Sequence, residues 1–301
     1  MKKIALTVGD PSGVGPEIIA AWAKANPLEA RGVEVLAHAR LLENLPDFIG
    51  KREISSCGNF EPGKPCRAGA QLALDALEAA ALGCMEGRYG AVATCPVSKI
   101  CMVEVCPNFV GQTEFFQQKW GGDAVMSFAG SRMIVTLATW HIPLRNVPDA
   151  ISKENISRAV EAAEILARKI RKNPEPKIAL CGLNPHAGEG GILGSEEINL
   201  INPLAKNLQK KHAGLSLALP PDTVFDRMMR GEFDAAVAMY HDQGLAPLKS
   251  VDFNNAVNIS MGLKFARTSP DHGTAFGIAG KGLASFKSLE SALRLAKILA
   301  Q

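Results

Sequence analysis

The sequence predicts an α/β fold built on a parallel sheet with helices on both faces. Three observations carry this. Short apolar runs alternate with longer stretches of helical periodicity along the chain, the order that builds βαβ units with right-handed crossovers. The apolar runs are continuous rather than alternating, as strands buried on both faces must be. The 301 residues are enough for two domains of ordinary size or one large one.

In chain order, Ile4–Val8 reads as the first strand. It stops at a glycine-rich turn, Gly9-Asp10-Pro11-Ser12-Gly13-Val14-Gly15-Pro16-Glu17, that leads into the first helix. Val33–Ala37 is a second strand. Arg67–Gly83, rich in Ala and Leu, is a helix, and Ala91–Thr94 and Met133–Thr139 are strands. Lys153–Lys172 is a helix with Ser152 as N-cap and basic residues in its last turns, where they complement the helix dipole. Strands at Lys177–Leu183 and Ala235–Tyr240 and helices at Glu196–Lys211, Thr223–Met229 and Leu289–Leu299 complete the pattern. There is no internal repeat and no low-complexity linker.

Composition narrows the function. Hydrophobic residues at 47% and charged residues at 21% exclude disorder, collagen and coiled coil. A net charge of +3, no basic run beyond Arg168-Lys169-Ile170-Arg171-Lys172, and 6% aromatics speak against a nucleic-acid partner. Two N-terminal lysines precede an apolar run that ends at Val8, too short for a signal peptide, and no stretch has the roughly 18 apolar residues of a membrane span. A cytoplasmic protein without a membrane partner is expected. The seven cysteines (57, 66, 84, 95, 101, 106, 181) contain no C-x-x-C, which suits reduced thiols, mostly buried.

In open α/β sheets ligands gather beyond the carboxyl ends of the strands. His38, His141, His186 and His241 stand at or near such ends, whereas His212 follows a basic helix end and His272 lies in a glycine-rich loop. His141, His186 and His241 are 45 and 55 residues apart, yet strand ends of one sheet can bring them together. Three imidazoles with an open position make a catalytic metal site; the same residues also suit three separate, backbone-bonded histidines. His186 sits in Asn184-Pro185-His186-Ala187-Gly188-Glu189-Gly190-Gly191, where glycines let a ligand approach the backbone. Asp242 follows His241 as a possible partner or base.

Three further patterns stand out. The 9–17 turn is either an anion site at a helix N-terminus or a structural turn; it is not G-x-G-x-x-G, so a Rossmann reading fails. The stretch 271–282, DHGTAFGIAGKG, can wrap a planar group and donate backbone hydrogen bonds. Lys249, Asn258 and Arg267, at intervals of nine residues, suit a phosphate or carboxylate, or are solvated surface.

The strings GDPSGVGPE (9–17), TCPVSK (94–99), GQTEFF (111–116), HIPL (141–144), CGLNPHAGEGG (181–191), PPDTVF (220–225), YHDQGLAPLK (240–249), AVNISMGL (256–263) and RTSPDHGTAFGIAGKG (267–282) together resemble the 4-hydroxythreonine-4-phosphate dehydrogenase family of pyridoxal phosphate biosynthesis. The last string is also similar to the adenosine-binding loop of isocitrate and isopropylmalate dehydrogenases, whose fold that family shares. The resemblance implies two α/β/α domains with a cleft between them, 1–105 plus 255–301 on the nucleotide side and 106–254 carrying the metal and the dimer interface. It implies a divalent metal (zinc, magnesium or cobalt) on His141, His186 and His241, shared between two subunits of a homodimer. It implies substrate contacts from Gln112, Thr113, Lys249, Asn258 and Arg267, and NAD or NADP on His272, Gly273, Thr274 and Ala275. Asp242, Asp222 and Lys249 are candidates for the base.

The implied reaction is NAD(P)-linked oxidation of 4-phosphohydroxy-L-threonine to 2-amino-3-oxo-4-phosphobutanoate, which decarboxylates to 3-amino-2-oxopropyl phosphate. Gln112 stands where the family has a histidine, TCPVSK replaces TAPINK, and the 99–112 segment departs from the pattern. These departures keep open relatives that oxidise 4-phosphorylated threonate or erythronate, or an aromatic cis-dihydrodiol. A zinc hydrolase would use the same three histidines but leaves the 267–282 loop without a role.

Overall fold

A computed structural model describes residues 2–54, 59–253 and 255–300. These form two compact units, 1–124 with 257–301, and 125–256. The strands are β1 (Lys3–Thr7), β2 (Val33–Ala37), β3 (Gly50–Glu53), β4 (Tyr89–Thr94), β5 (Gly122–Ala129), β6 (Ile134–Leu137), β7 (Ile178–Cys181), β8 (Leu215–Leu219), β9 (Ala235–Ala238), β10 (Val257–Leu263) and β11 (Ala266–Pro270).

In the first unit the strand order is β3-β2-β1-β4-β11-β10. All neighbours are parallel except β10, which runs antiparallel to β11. Ile4 to Thr7 are all buried, so both faces of β1 are covered. The helix Arg67–Met85 packs on β1, β2 and β4, and Lys287–Leu299 packs on β11 and β4. The small residues of Arg67–Met85 allow close approach: a Cβ on Gly83 would stand 2.3 Å from the Tyr89 ring.

In the second unit the order is β5-β6-β9-β7-β8, with β5 antiparallel to β6 and the rest parallel. The helix Lys153–Arg171 packs against β6, β9 and β7. Its start is a capping box: Ser152 Oγ accepts from Asn155 N (3.2 Å) and Asn155 Oδ1 accepts from Ser152 N (2.9 Å). The register matters for function. Leu137 pairs with Ala238 and Leu180 pairs with Val237. The parallel neighbours β6, β9 and β7 therefore finish in one row.

Four expectations need correction. The sheet is not wholly parallel, because β5 and β10 each run against a neighbour. Strands β3, β5, β8, β10 and β11 escaped the reading of apolar runs because polar and glycine residues interrupt them, as in Gly50–Glu53 (GKRE). The segment 106–124, placed with the second domain, belongs to the first unit, because Phe115, Phe116 and Trp120 of the helix Gln112–Trp120 join that unit's core. The helix expected over Glu196–Lys211 is instead a π-helical turn, Glu197–Ile201, followed by the α-helix Asn202–Leu208; Pro203 has no N–H to continue an α-ladder through this point.

Cys84, Cys95, Cys101 and Cys181 are buried, and Cys66 and Cys106 are half-buried, all as free thiols. Cys57 lies outside the described residues. Burial pushes the thiols of Cys95 and Cys181 up to about 12, which leaves on the order of one thiolate in ten thousand at pH 8. Native-state treatment with iodoacetamide should therefore label Cys66 and Cys106 while Cys95 and Cys181 stay unmodified, read by peptide mass spectrometry. Labelling of Cys181 below the unfolding transition would contradict this packing.

Candidate functional site

The row of strand ends places the histidines. Past β6 and β9 the pairing continues without regular strand: Ala138 N donates to Ala238 O (2.8 Å), and Thr139 N (3.1 Å) and Oγ1 (2.6 Å) both donate to Met239 O. The chains then turn outward at His141 and His241, whose ring centroids are 5.6 Å apart. Gln243, buried in the helix His241–Asp252, ties the ends together: its Oε1 accepts from Met239 N (2.7 Å) and its Nε2 donates to Gly182 O (2.8 Å). Sequence reasoning assigned Gln243 no role. The helix lies close to β6, since a Cβ on Gly244 would stand 2.6 Å from Val135.

His141 and His241 line one cavity of about 420 Å³ with Trp140, Tyr240 and Asp242. His141 has φ +52, a left-handed conformation rare for a residue with a side chain and typical of functional sites. Asp242 Oδ1 lies 2.7 Å from His241 Nδ1, so a metal would meet Nε2. A carboxylate on the second ring nitrogen is the arrangement that fixes the ring of a metal-ligating histidine. The donor set thus fits a divalent cation. It is incomplete, however: among the described residues no group of three or more His, Cys, Asp or Glu is placed to hold one ion.

His186, which follows β7, is not gathered with the other two. Its ring is 63% exposed and its Nδ1 lies 3.0 Å from Glu189 Oε2. The Glu189 carboxylate raises its pKa above the usual histidine value, with a smaller push from Asp222. The residues His186 to Gly190 all have positive φ. For the three that carry side chains, this costs roughly 1–2 kcal/mol each, so the surrounding structure must impose it. Of the base candidates, Asp242 is committed to His241. Asp222 is exposed on the helix Pro221–Met229. Lys249 lies on the His241–Asp252 helix, about 12 Å along its axis from His241 at 1.5 Å per residue.

A second cluster forms in the first unit. Arg267 is 5% exposed. Its Nε (3.1 Å) and Nη2 (2.8 Å) donate to Thr94 Oγ1, and Nη1 donates to Asn258 Oδ1 (3.0 Å). These partners are all neutral. Burial pushes the guanidinium down to about 10, opposed by Glu114, so it remains a cation at neutral pH. Thr113 Oγ1 bonds Ser260 Oγ (3.0 Å). Gln112 Nε2 donates to Cys95 O (3.1 Å), which leaves its buried Oε1 without a partner among the described residues. Lys249 belongs to the other unit.

The two remaining glycine-rich motifs meet each other. Val14 N donates to Thr274 O (3.0 Å), and Glu17 Oε2 accepts from Gly280 N (2.9 Å) and Gly282 N (3.2 Å). The 9–17 turn therefore acts as the support of the 272–282 loop. On that loop a Cβ at Gly273 or Gly277 would meet nothing within 4 Å, so a flat group can reach the backbone there. His272 Nδ1 lies 2.9 Å from Gly273 O, and Ala275 is left-handed at φ +50. Of the other histidines, His38 caps a short helix by accepting from Arg40 N (3.2 Å), and His212 is buried against Glu164 (2.5 Å).

Comparison with known proteins gives the family. The family model described as pyridoxal phosphate biosynthetic protein PdxA matches residues 8–296. The chain is 39% identical to 4-hydroxythreonine-4-phosphate dehydrogenase of Zymomonas mobilis subsp. mobilis, over 98% of this chain and 95% of that one. Its fold matches the crystal structure of 4-hydroxythreonine-4-phosphate dehydrogenase from Klebsiella pneumoniae with a TM-score of 0.88 and 33% identity over 100% of both chains. The likeness to isocitrate dehydrogenase from Methylococcus capsulatus, with a TM-score of 0.50 and 16% identity over 99% of this chain and 84% of that one, is one of fold alone. The match of the family model over residues 8–296 and the identity to full-length relatives show that the chain belongs to the pyridoxal phosphate biosynthetic protein PdxA family.

Proposed function

We propose that this protein is a metal-dependent, NAD(P)-linked dehydrogenase of the cytoplasm. It oxidises 4-phosphohydroxy-L-threonine to 2-amino-3-oxo-4-phosphobutanoate, which loses carbon dioxide to give 3-amino-2-oxopropyl phosphate. The observation that carries this reading is Arg267: a buried guanidinium whose hydrogen-bond partners are all neutral. Glu114 acts on this charge only through space and makes no hydrogen bond to it among the described residues. A buried guanidinium so weakly compensated is costly, and a substrate anion supplies the direct partner. The names of the relatives supply the substrate's identity.

Arg267 and Asn258 take the anionic group. Gln112 Oε1, an acceptor without a donor, receives a hydroxyl or ammonium proton of the substrate, and Thr113 stands beside it. His141 and His241 of one subunit hold the cation, with His186 completing the set from a second copy in a homodimer. These histidines would hold a divalent cation (zinc, magnesium or cobalt) that would supply Lewis-acid polarisation of the substrate hydroxyl, and the 272–275 segment would hold NAD or NADP, which would supply the hydride acceptor. Asp242 orients His241, so Asp222 and Lys249 are left to accept the hydroxyl proton.

The direct test is turnover of 4-phosphohydroxy-L-threonine followed as NAD(P)H absorbance, abolished by chelator and restored by added divalent metal. Arg267→Lys should lower kcat/KM nearly as much as Arg267→Ala, because Lys lacks the planar fork. A loss of about 1.5–3 kcal/mol corresponds to roughly tenfold to a few hundredfold. Equal turnover of a non-phosphorylated diol, with Arg267→Ala harmless, would contradict the phosphate reading. Glu17→Ala removes both acceptor contacts to the 280–282 backbone and should raise the KM for NAD(P) about tenfold while leaving the KM for the phosphorylated substrate unchanged.

A further inference from the structure

We infer that Glu197 is a positioning residue of the metal site, holding the turn from which His186 presents its ring. This rests on the reading above that His186 is a metal ligand. Glu197 is fully buried. Its Oε1 accepts from Leu183 N (2.7 Å) and Asn184 N (2.8 Å), and its Oε2 accepts from Asn184 Nδ2 (2.9 Å). One carboxyl therefore fixes the two residues that lead from the β7 strand end into the turn. All of these partners are donors.

The turn itself explains why such an anchor is needed. Five consecutive residues are left-handed: His186 (φ +52), Ala187 (+52), Gly188 (+79), Glu189 (+42) and Gly190 (+66). Three of these carry side chains, and strained backbone of this kind persists only where its surroundings over-determine it. Space is made for the carboxyl on both sides. A Cβ on Gly182 would stand 3.0 Å from Oε1, and one on Gly188 would stand 2.6 Å from Oε2. The anchor also has an unusual mount, because Glu197 opens the π-helical turn Glu197–Ile201, a rare geometry often found at functional sites. Partners one step beyond the ligands of a metal typically govern affinity by 10–100-fold.

The test uses the full-length protein freed of metal and titrated with Co2+, followed by visible absorption and calorimetry. In Glu197→Gln the amide has one acceptor oxygen and one donor nitrogen, so whichever way it turns a donor faces a donor. Gly188→Ala keeps the carboxyl and presses on its Oε2, and also on Gly194 O (2.9 Å) from a left-handed backbone (φ +79), so it supports the Glu197→Gln result and does not replace it. Both variants should bind Co2+ about 10–100-fold more weakly, with NAD(P) affinity unchanged and the metal-free melting temperature within a few degrees of wild type. His186→Ala is the reference. If it weakens Co2+ binding while Glu197→Gln and Gly188→Ala do not, the positioning role is wrong and the metal reading stands. If His186→Ala leaves Co2+ affinity unchanged, the metal reading fails and takes the inference with it. Should Glu197→Gln lose its cooperative melt, Glu197→Asp decides: it keeps the carboxylate but shortens its reach, and unchanged Co2+ affinity in it would overturn the positioning role.

Discussion

The candidate metal site depends on one constraint, the common finishing line of β6, β9 and β7. Parallel neighbours in register must present their next residues along one edge. Leu137, Ala238 and Cys181 occupy that line, and each strand is followed within five residues by a histidine. The pairing that continues through Thr139 and Met239 brings His141 beside His241. Gln243 then bonds two of the three strand ends at once. Slippage of one strand by one residue would send its side chains to the opposite face and remove its histidine from the row.

The first unit solves a different problem, that of keeping a cation buried. Arg267 lies on β11 beside β4, so Thr94 at the end of β4 and Asn258 on β10 are its natural partners. Neutral oxygens satisfy part of the guanidinium's hydrogen-bonding capacity without cancelling its charge. The pair of glycine motifs follows similar logic. Gly13 can have no side chain because its Cβ would stand 2.7 Å from Thr274 O, and the 9–17 turn thereby holds the second loop through its backbone.

Much of this was legible in the sequence. The buried strands announced themselves by continuous apolarity, the Ser152 cap by its residue type, and the histidines by their place after strands. Other features left no such mark. The edge strand β3 has only a mixed polar run, Gly50–Glu53, because one-sided burial does not demand apolar residues throughout. The segment 106–124 carries Phe116 and Trp120 into the first unit's core, and composition does not say which core an aromatic joins. Glu197 reads as one acid among several on a helix; only the folded loop shows its carboxyl buried against backbone donors. The separation of His186 from the His141–His241 pair was equally invisible, since spacing along the chain does not tell whether three strand-end side chains converge in one copy or between two.

That separation gives the most direct test of the proposed site. Subunits carrying His186→Ala and subunits carrying His241→Ala should each be inactive alone. Mixed and allowed to exchange, they should form hybrid dimers in which one of the two sites regains all three histidines. Random pairing makes about half of the dimers hybrid, so activity should recover to roughly a quarter of the wild-type value. If the mixture stays inactive although hybrid dimers are detected by native mass spectrometry, the three histidines do not form one site shared by two copies.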